Sequence, residues 1–239
     1  MLNDKICYFN KGKEKLEVKN NIVYVNGTKI NRIGSGVDGS VYKYKDKAIK
    51  LYHDTKHIKT YLNKYQINLL SNISTEHIIL PQDPLEHPFT NPGFIMKYID
   101  LKTKQDILTS PIEQVIKELE KIEQELILLG KNHFLLDDIK SSNLFYNKTL
   151  YLFDPDSFIY DKQTDFSNRN IEMFIWQFIR DCIFSKNNEL TKREQLSMVR
   201  RLHYLYKIGN YKLLSVFIKE ISNKEPLENI RKTYIRKKY

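Results

Sequence analysis

Four short segments of this 239-residue chain combine residue types and spacings that could handle a phosphorylated ligand. Gly34-Ser35-Gly36-Val37-Asp38-Gly39-Ser40-Val41 is a complete G-x-G-x-x-G-x-V. Where side chains are missing, backbone N–H groups can come close to phosphate oxygens. Lys50 ends the run Lys47-Ala48-Ile49-Lys50, and a lysine at the end of an apolar strand beside such a loop can hold phosphate as a point charge. Asp138-Ile139-Lys140-Ser141-Ser142-Asn143 gathers a carboxylate, an ammonium and an amide within one loop. Tyr151-Leu152-Phe153-Asp154-Pro155-Asp156 sets two acids just past an apolar stretch. Each also has a plain reading: a ligand-free hairpin, one lysine among many, polar residues after a helix, and a turn made by Asp-Pro-Asp itself.

The elements around them narrow the choice. A dinucleotide fold needs a helix straight after the glycines. Here Ser40–Tyr44 is β-rich and runs through Lys45-Asp46 into Lys47–Leu51, so a glycine turn between strands is expected. Ile22–Val25 before Asn26-Gly27 gives another hairpin signal. From His53 to Ile73 the apolar spacing is helical (Ile58, Leu62, Tyr65, Leu69). Ile78–Leu80 resembles a short strand, Pro81, Pro84, Pro88 and Pro92 suggest a loop, and Gly93–Ile99 a further strand.

Beyond Leu101 the pattern turns helical. Ser110-Pro111-Ile112-Glu113 reads as a capping box. It opens the stripe Ile112, Val115, Ile116, Leu119, Ile122, Leu126 and Leu129, with Gly130 as the expected C-cap. Leu144–Tyr146 and Leu150–Phe153 predict a small hairpin. Helices are then expected over Ile171–Phe184, over Thr191–Ile208 behind a Thr-x-x-Glu box, and over Tyr211–Ile221. Trp176 is expected in the core, His133 in local packing, and RKTYIRKKY as a solvated basic tail.

Composition removes several classes. With 41% hydrophobic and 28% charged residues the chain is globular rather than disordered. Cys7 and Cys182 are the only cysteines and lie far apart, which argues against a zinc ribbon or disulfide framework and for a reducing compartment. No signal peptide is visible. The most apolar stretch, Ile171–Phe184, contains Glu172, Arg180 and Asp181, so no membrane span is expected. A soluble, cytoplasmic protein is predicted. The net charge of +10 favours acidic partners, among which nucleic acid is an open but not favoured choice.

The four segments occur in the order and approximate spacing of the protein-kinase signature set, across roughly Ile30 to Phe184, and the chain resembles a small, divergent protein kinase-like family. The resemblance implies an α+β, two-lobed kinase-like fold. Residues 1–98 would form a β-rich N-lobe and residues 99–239 a mainly helical, truncated C-lobe. It implies ATP and Mg²⁺ as cofactors. The glycine loop (Gly34, Ser35, Gly36, Gly39) would cover the phosphates, Lys50 would hold the α- and β-phosphates, and adenine would lie against Val41 and Ala48. Met96 would guard the back of the site, with backbone groups of Lys97 and Ile99 at the adenine edge. Asp138 would orient the attacking hydroxyl, Lys140 would neutralise the transferred group, and Asn143 with Asp154 would ligate magnesium, Asp156 being a second candidate.

Departures shape the expectation further. Gln66 stands where a helix glutamate would pair with Lys50, and an amide cannot supply that ion pair. Leu136-Asp137 replaces His-Arg ahead of Asp138, and Pro155-Asp156 replaces Phe-Gly after Asp154. The segment after Asp154 is short and lacks A-P-E. The favoured expectation is a Ser/Thr protein kinase acting on a restricted protein partner, supported by Lys140. The alternatives are a small-molecule kinase of the aminoglycoside or choline kinase type, and a nucleotide-binding pseudokinase acting as a scaffold.

Overall fold

The computed structural model describes residues 5–36, 38–53, 62–87, 92–100, 105–137, 139, 143–153, 158–184 and 191–236. The fold is mixed α+β, with strands concentrated in the N-terminal region and helices C-terminally. It divides into two compact units. The first holds the chain to Thr75 and Ile79–Asp100, and the second holds Glu76–Ile78, Leu101–Asp154 and the chain from Phe158 onward.

The first unit opens with an antiparallel meander, β1 (Lys5–Phe9), β2 (Glu14–Lys19), β3 (Ile22–Val25) and β4 (Thr28–Lys29). Its tight turns use left-handed residues, Asn20 and Asn21 (φ 51° and 62°), then Asn26 and Gly27 (φ 49° and 79°). Two-residue hairpins need positive φ at both positions, and Asn and Gly tolerate it best. A five-stranded antiparallel sheet follows: β5 (Asn31–Ser35), β6 (Gly39–Tyr44), β7 (Lys47–Tyr52), β8 (Pro81–Pro84) and β9 (Gly93–Lys97), in spatial order β5-β6-β7-β9-β8. Cys7, Phe9, Leu16, Val18, Val23 and Val25 of the meander form one buried cluster with Tyr42, Ile49, Leu51 and Ile95 of the sheet. One sheet face is therefore closed by the meander. The short helix α1 (Lys64–Leu70) buries Ile67 and Leu70.

In the second unit, α2 (Ile112–Lys131) buries the whole expected stripe from Ile112 to Leu129. Each such aliphatic side chain is worth roughly 1.5–3 kcal/mol when fully buried. Strand β10 (Phe134–Leu136) pairs with β13 (Phe158–Tyr160), and β11 (Leu144–Asn147) with β12 (Thr149–Leu152). Helix α3 (Ser167–Phe178) runs into a π-helical stretch at Ile179–Phe184, and α4 (Lys192–Ile208), α5 (Leu214–Ser222) and α6 (Leu227–Arg236) complete the unit. Among the described residues no helix is long and apolar enough to cross a membrane.

Several local expectations change. Ser110 makes no capping box. Its hydroxyl donates to Asp106 O at 2.9 Å, and α2 begins after Pro111 without a side-chain cap. Gly130 lies inside α2, where its missing Cβ leaves room for Ser167, whose backbone N would sit 2.1 Å from it. Pro81–Pro84 is an edge strand rather than a loop, a place where missing N–H groups cost nothing. Ile78 makes only an isolated bridge, to Leu152. Of the expected helix, the described part is Lys64–Leu70, and residues 54–61 lie outside the described ones. Trp176 is half-buried against His203, and the basic stretch to Arg236 belongs to α6.

Candidate functional site

The glycine motif folds as a turn between antiparallel strands, and no helix follows it. Ser35 pairs with Ser40 and Gly34 with Val41 across the turn, which Gly36 N closes by donating to Gly39 O at 2.9 Å. Gly39 begins β6 because nothing larger fits: a Cβ there would lie 2.5 Å from Leu51 O. Gly36 is different, with open space where its Cβ would be.

Strand register then sorts the candidate residues by face. Val41 pairs with Lys50, Ala48 with Met96, and Lys50 with Phe94. Cross-strand partners share a face, as do alternate residues along a strand. Gly34, Val41, Ala48, Lys50 and Met96 therefore lie on one face of the sheet. Ile49, Leu51 and Ile95 point the other way, into the core beneath the meander. Ala48, Lys50 and Met96 are buried and Val41 is half-buried, so the lysine shares its sheet face with apolar side chains. Lys97 is the exposed last residue of β9, and Ile99 lies half-buried just beyond it. Gly93, opposite Leu51 in the next strand, has φ 145°, and a Cβ there would come 1.9 Å from Lys50 O. It lets β9 approach β7 at the lysine.

Gln66, expected opposite Lys50, is the N3 residue of a capping box. Its Oε1 accepts from Asn63 N at 2.9 Å, while Gln66 N donates to Asn63 Oδ1 at 2.9 Å. The amide oxygen thus serves the start of its own helix.

Asp138, Lys140, Asp154 and Asp156 lie outside the described residues; the second unit shows the residues that flank the first three. Leu136 ends β10, Asp137 is exposed and Ile139 is fully buried. Asn143, half-buried, receives Phe153 N on its carbonyl oxygen at 2.8 Å, so the open end of the β11–β12 hairpin sets it beside the residue that precedes Asp154.

Buried polar groups that the sequence alone does not mark hold this frame. Asn170 of α3 is fully buried. Its Oδ1 accepts from Leu136 N at 2.8 Å, and its Nδ2 donates to Phe134 O at 2.9 Å and Leu126 O at 3.1 Å. One side chain thus ties β10 to α2 and α3 directly before the loop. Glu118 of α2 accepts from Leu150 N at 2.9 Å. Glu125, two turns on, accepts from Glu76 N (2.8 Å), His77 N (3.1 Å) and Ile78 N (2.7 Å). His77 O in turn receives Leu152 N at 2.8 Å. Two helix carboxylates thereby fix the hairpin. Their only sequence signal is an acid spacing of seven inside an apolar stripe.

Glu123 of α2 is fully buried and takes the backbone N–H of Leu214 and the hydroxyl of Ser215 at the start of α5. Burial pushes its carboxyl up to about 7 despite those donors. Tyr206 is raised to about 12, chiefly by burial and secondarily by Glu123. His133, with φ 70°, has Nδ1 3.0 Å from Thr164 O, a local turn contact.

Among the described residues no three His, Cys, Asp or Glu side chains form a cation site. Comparison with protein-family models gives no match to this chain, and comparison with curated proteins finds no significant relative.

Proposed function

We propose that the chain is an ATP- and Mg²⁺-dependent kinase of protein kinase-like fold that transfers the γ-phosphate to a Ser or Thr hydroxyl of a protein partner. The observation that carries this reading is the register of the five-stranded sheet. It gathers Gly34, Val41, Ala48, Lys50 and Met96 on one face, behind a glycine turn that joins two strands.

The first unit would bind the nucleotide. Val41, Ala48 and Met96 offer an apolar surface to the base, and backbone carbonyl and N–H groups near Lys97 and Ile99 would meet its edge. Backbone N–H groups at Gly34–Gly39 would approach the phosphates, and Lys50 would hold two of them. Its partly apolar surroundings strengthen that attraction relative to water. The second unit would supply the chemistry. Asp138 would accept or orient the hydroxyl proton, and Lys140 would neutralise the transferred group. Asn143 and Asp154 would hold Mg²⁺, since an oxygen-only donor pair suits that hard cation. Asn143 already lies beside Phe153, next to Asp154 in sequence. Bound there, the ion would offset the triphosphate charge. Phosphoryl transfer asks little else of a protein than positioning and electrostatic stabilisation.

One observation favours the pseudokinase reading: the Gln66 oxygen is used in its own helix cap. A small-molecule acceptor is the other alternative, against which the complete glycine motif and Lys140 count. Nucleotide binding tests the core of the proposal. Titration with a fluorescent ATP analogue and Mg²⁺ should saturate for the wild type and weaken at least tenfold, roughly the loss of one charged contact, for Lys50→Met. Equal affinity for both proteins, or no binding by the wild type, would overturn it.

A further inference from the structure

On the sheet face turned away from Lys50, a chain of side chains stands directly behind the glycine turn. Ser40 pairs with Leu51, whose side chain enters the core cluster, so the Ser40 hydroxyl points away from the candidate phosphate face. It is only 2% exposed. His53 Nε2 lies 2.7 Å from Ser40 Oγ, and Ser40 Oγ lies 3.3 Å from Ser35 Oγ. His53 also donates its backbone N–H to Asp38 O at 3.0 Å. One residue just past β7 thus reaches both strands of the turn, β6 through Ser40 and β5 through Ser35, and the turn backbone itself at Asp38.

That placement answers a physical need. Three glycines within six residues give this turn extra conformational freedom to lose on ordering. A loop that must present its N–H groups to a ligand binds more tightly when the ordering is done beforehand. A serine that only filled space beside Leu51 would not need a hydroxyl there, and a buried hydroxyl requires a partner, which His53 provides. Ser40 is not placed as a nucleophile, because its oxygen is buried on the closed face.

We infer that His53 is a positioning residue that, through Ser40 and Ser35, holds the glycine turn in the form that receives a nucleoside triphosphate. This rests on the kinase proposal and adds to it the residue that sets nucleotide affinity from behind the loop. The brace acts on binding, so its loss should raise the dissociation constant and KM for Mg-ATP and leave kcat unchanged.

The test uses the full chain with Mg²⁺ and a fluorescent ATP analogue. His53→Ala and Ser40→Ala should each weaken binding about five- to tenfold, the loss expected for one hydrogen bond in a pre-ordered loop. His53→Gln, which keeps a polar atom near the Nε2 position, should recover affinity to within about twofold. Hydrogen exchange without nucleotide gives an independent reading: the Gly36 amide should exchange faster in His53→Ala and recover in His53→Gln. A wild type that binds with both alanine variants binding equally well overturns the brace alone. A wild type that binds no nucleotide overturns the kinase proposal and the brace with it. Unchanged Gly36 exchange in His53→Ala also overturns the brace.

Discussion

Replacing Asn170 removes three hydrogen bonds from a site with no access to water. In Asn170→Ala the Leu136 N–H loses its acceptor, and the Phe134 and Leu126 carbonyls lose a donor each. A buried N–H without a partner costs about 1–3 kcal/mol, and orphaned carbonyls add less, so the total is on the order of 3–5 kcal/mol. Against a whole-domain stability of roughly 5–15 kcal/mol that is a large fraction. Urea unfolding followed by the single tryptophan, Trp176 on the same helix, should show the midpoint falling with little change in slope. Hydrogen exchange at Leu136 should accelerate beyond the global effect. Asn170→Asp separates polarity from volume. The carboxylate keeps the Leu136 contact but turns an acceptor toward two carbonyl oxygens, so its folded-state pKa must rise. A group raised in the folded state stabilises at low pH and loses that contribution as pH increases through its folded value. Asn170→Asp should therefore be most stable in acid, whereas Asn170→Ala should show no added pH slope. Stability of Asn170→Ala within about 1 kcal/mol of the wild type would refute the assignment of Asn170 as the tie before the loop.

Glu123 gives a second pH signature. Its rise from 4.5 to about 7 corresponds to about 3 kcal/mol that is present below pH 4.5 and lost between there and neutrality. The difference in urea midpoint between wild type and Glu123→Gln should change across pH 4.5–7 and flatten above; a pH-independent difference would contradict the raised value. Gly36→Ala, with open space at its Cβ, should leave stability within about 0.5 kcal/mol and still weaken nucleotide binding. Gly93→Ala should instead cost about 2–5 kcal/mol from strained φ and the clash with Lys50 O, measurable by thermal unfolding.

Where the sequence was readable, local chemistry and tertiary need agreed. Asn26-Gly27 marks its hairpin because both positions must take positive φ. Thr191 and Glu194 form the expected reciprocal cap. The glycine motif reads as an inter-strand turn because Ser40–Tyr44 cannot be mistaken for a helix start. Strand β2 carries little local signal, since Leu16 and Val18 alternate among lysines and glutamates that dominate its composition. Proline hid β8, whose edge position tolerates it. Gly130 has the local pattern of a helix stop, but its neighbour is the distant backbone of Ser167, which no local pattern reveals. Ser110 matched a capping box by spacing, yet its hydroxyl found a nearer acceptor in the preceding turn. Asn170 is the sharpest case. An asparagine near a helix start reads as solvent-facing, and only the three backbone groups around it, all far away in sequence, give it its role.

Phosphoryl transfer tests the proposed function most directly. The wild type and Asp138→Ala are incubated with labelled ATP and Mg²⁺, alone and with a cell lysate, and incorporation into protein is followed. The wild type should label a protein Ser or Thr, and Asp138→Ala should be slower by about 10²–10⁴ with nucleotide binding largely kept. Equal incorporation by the two proteins, or binding without transfer to any acceptor, would contradict the account.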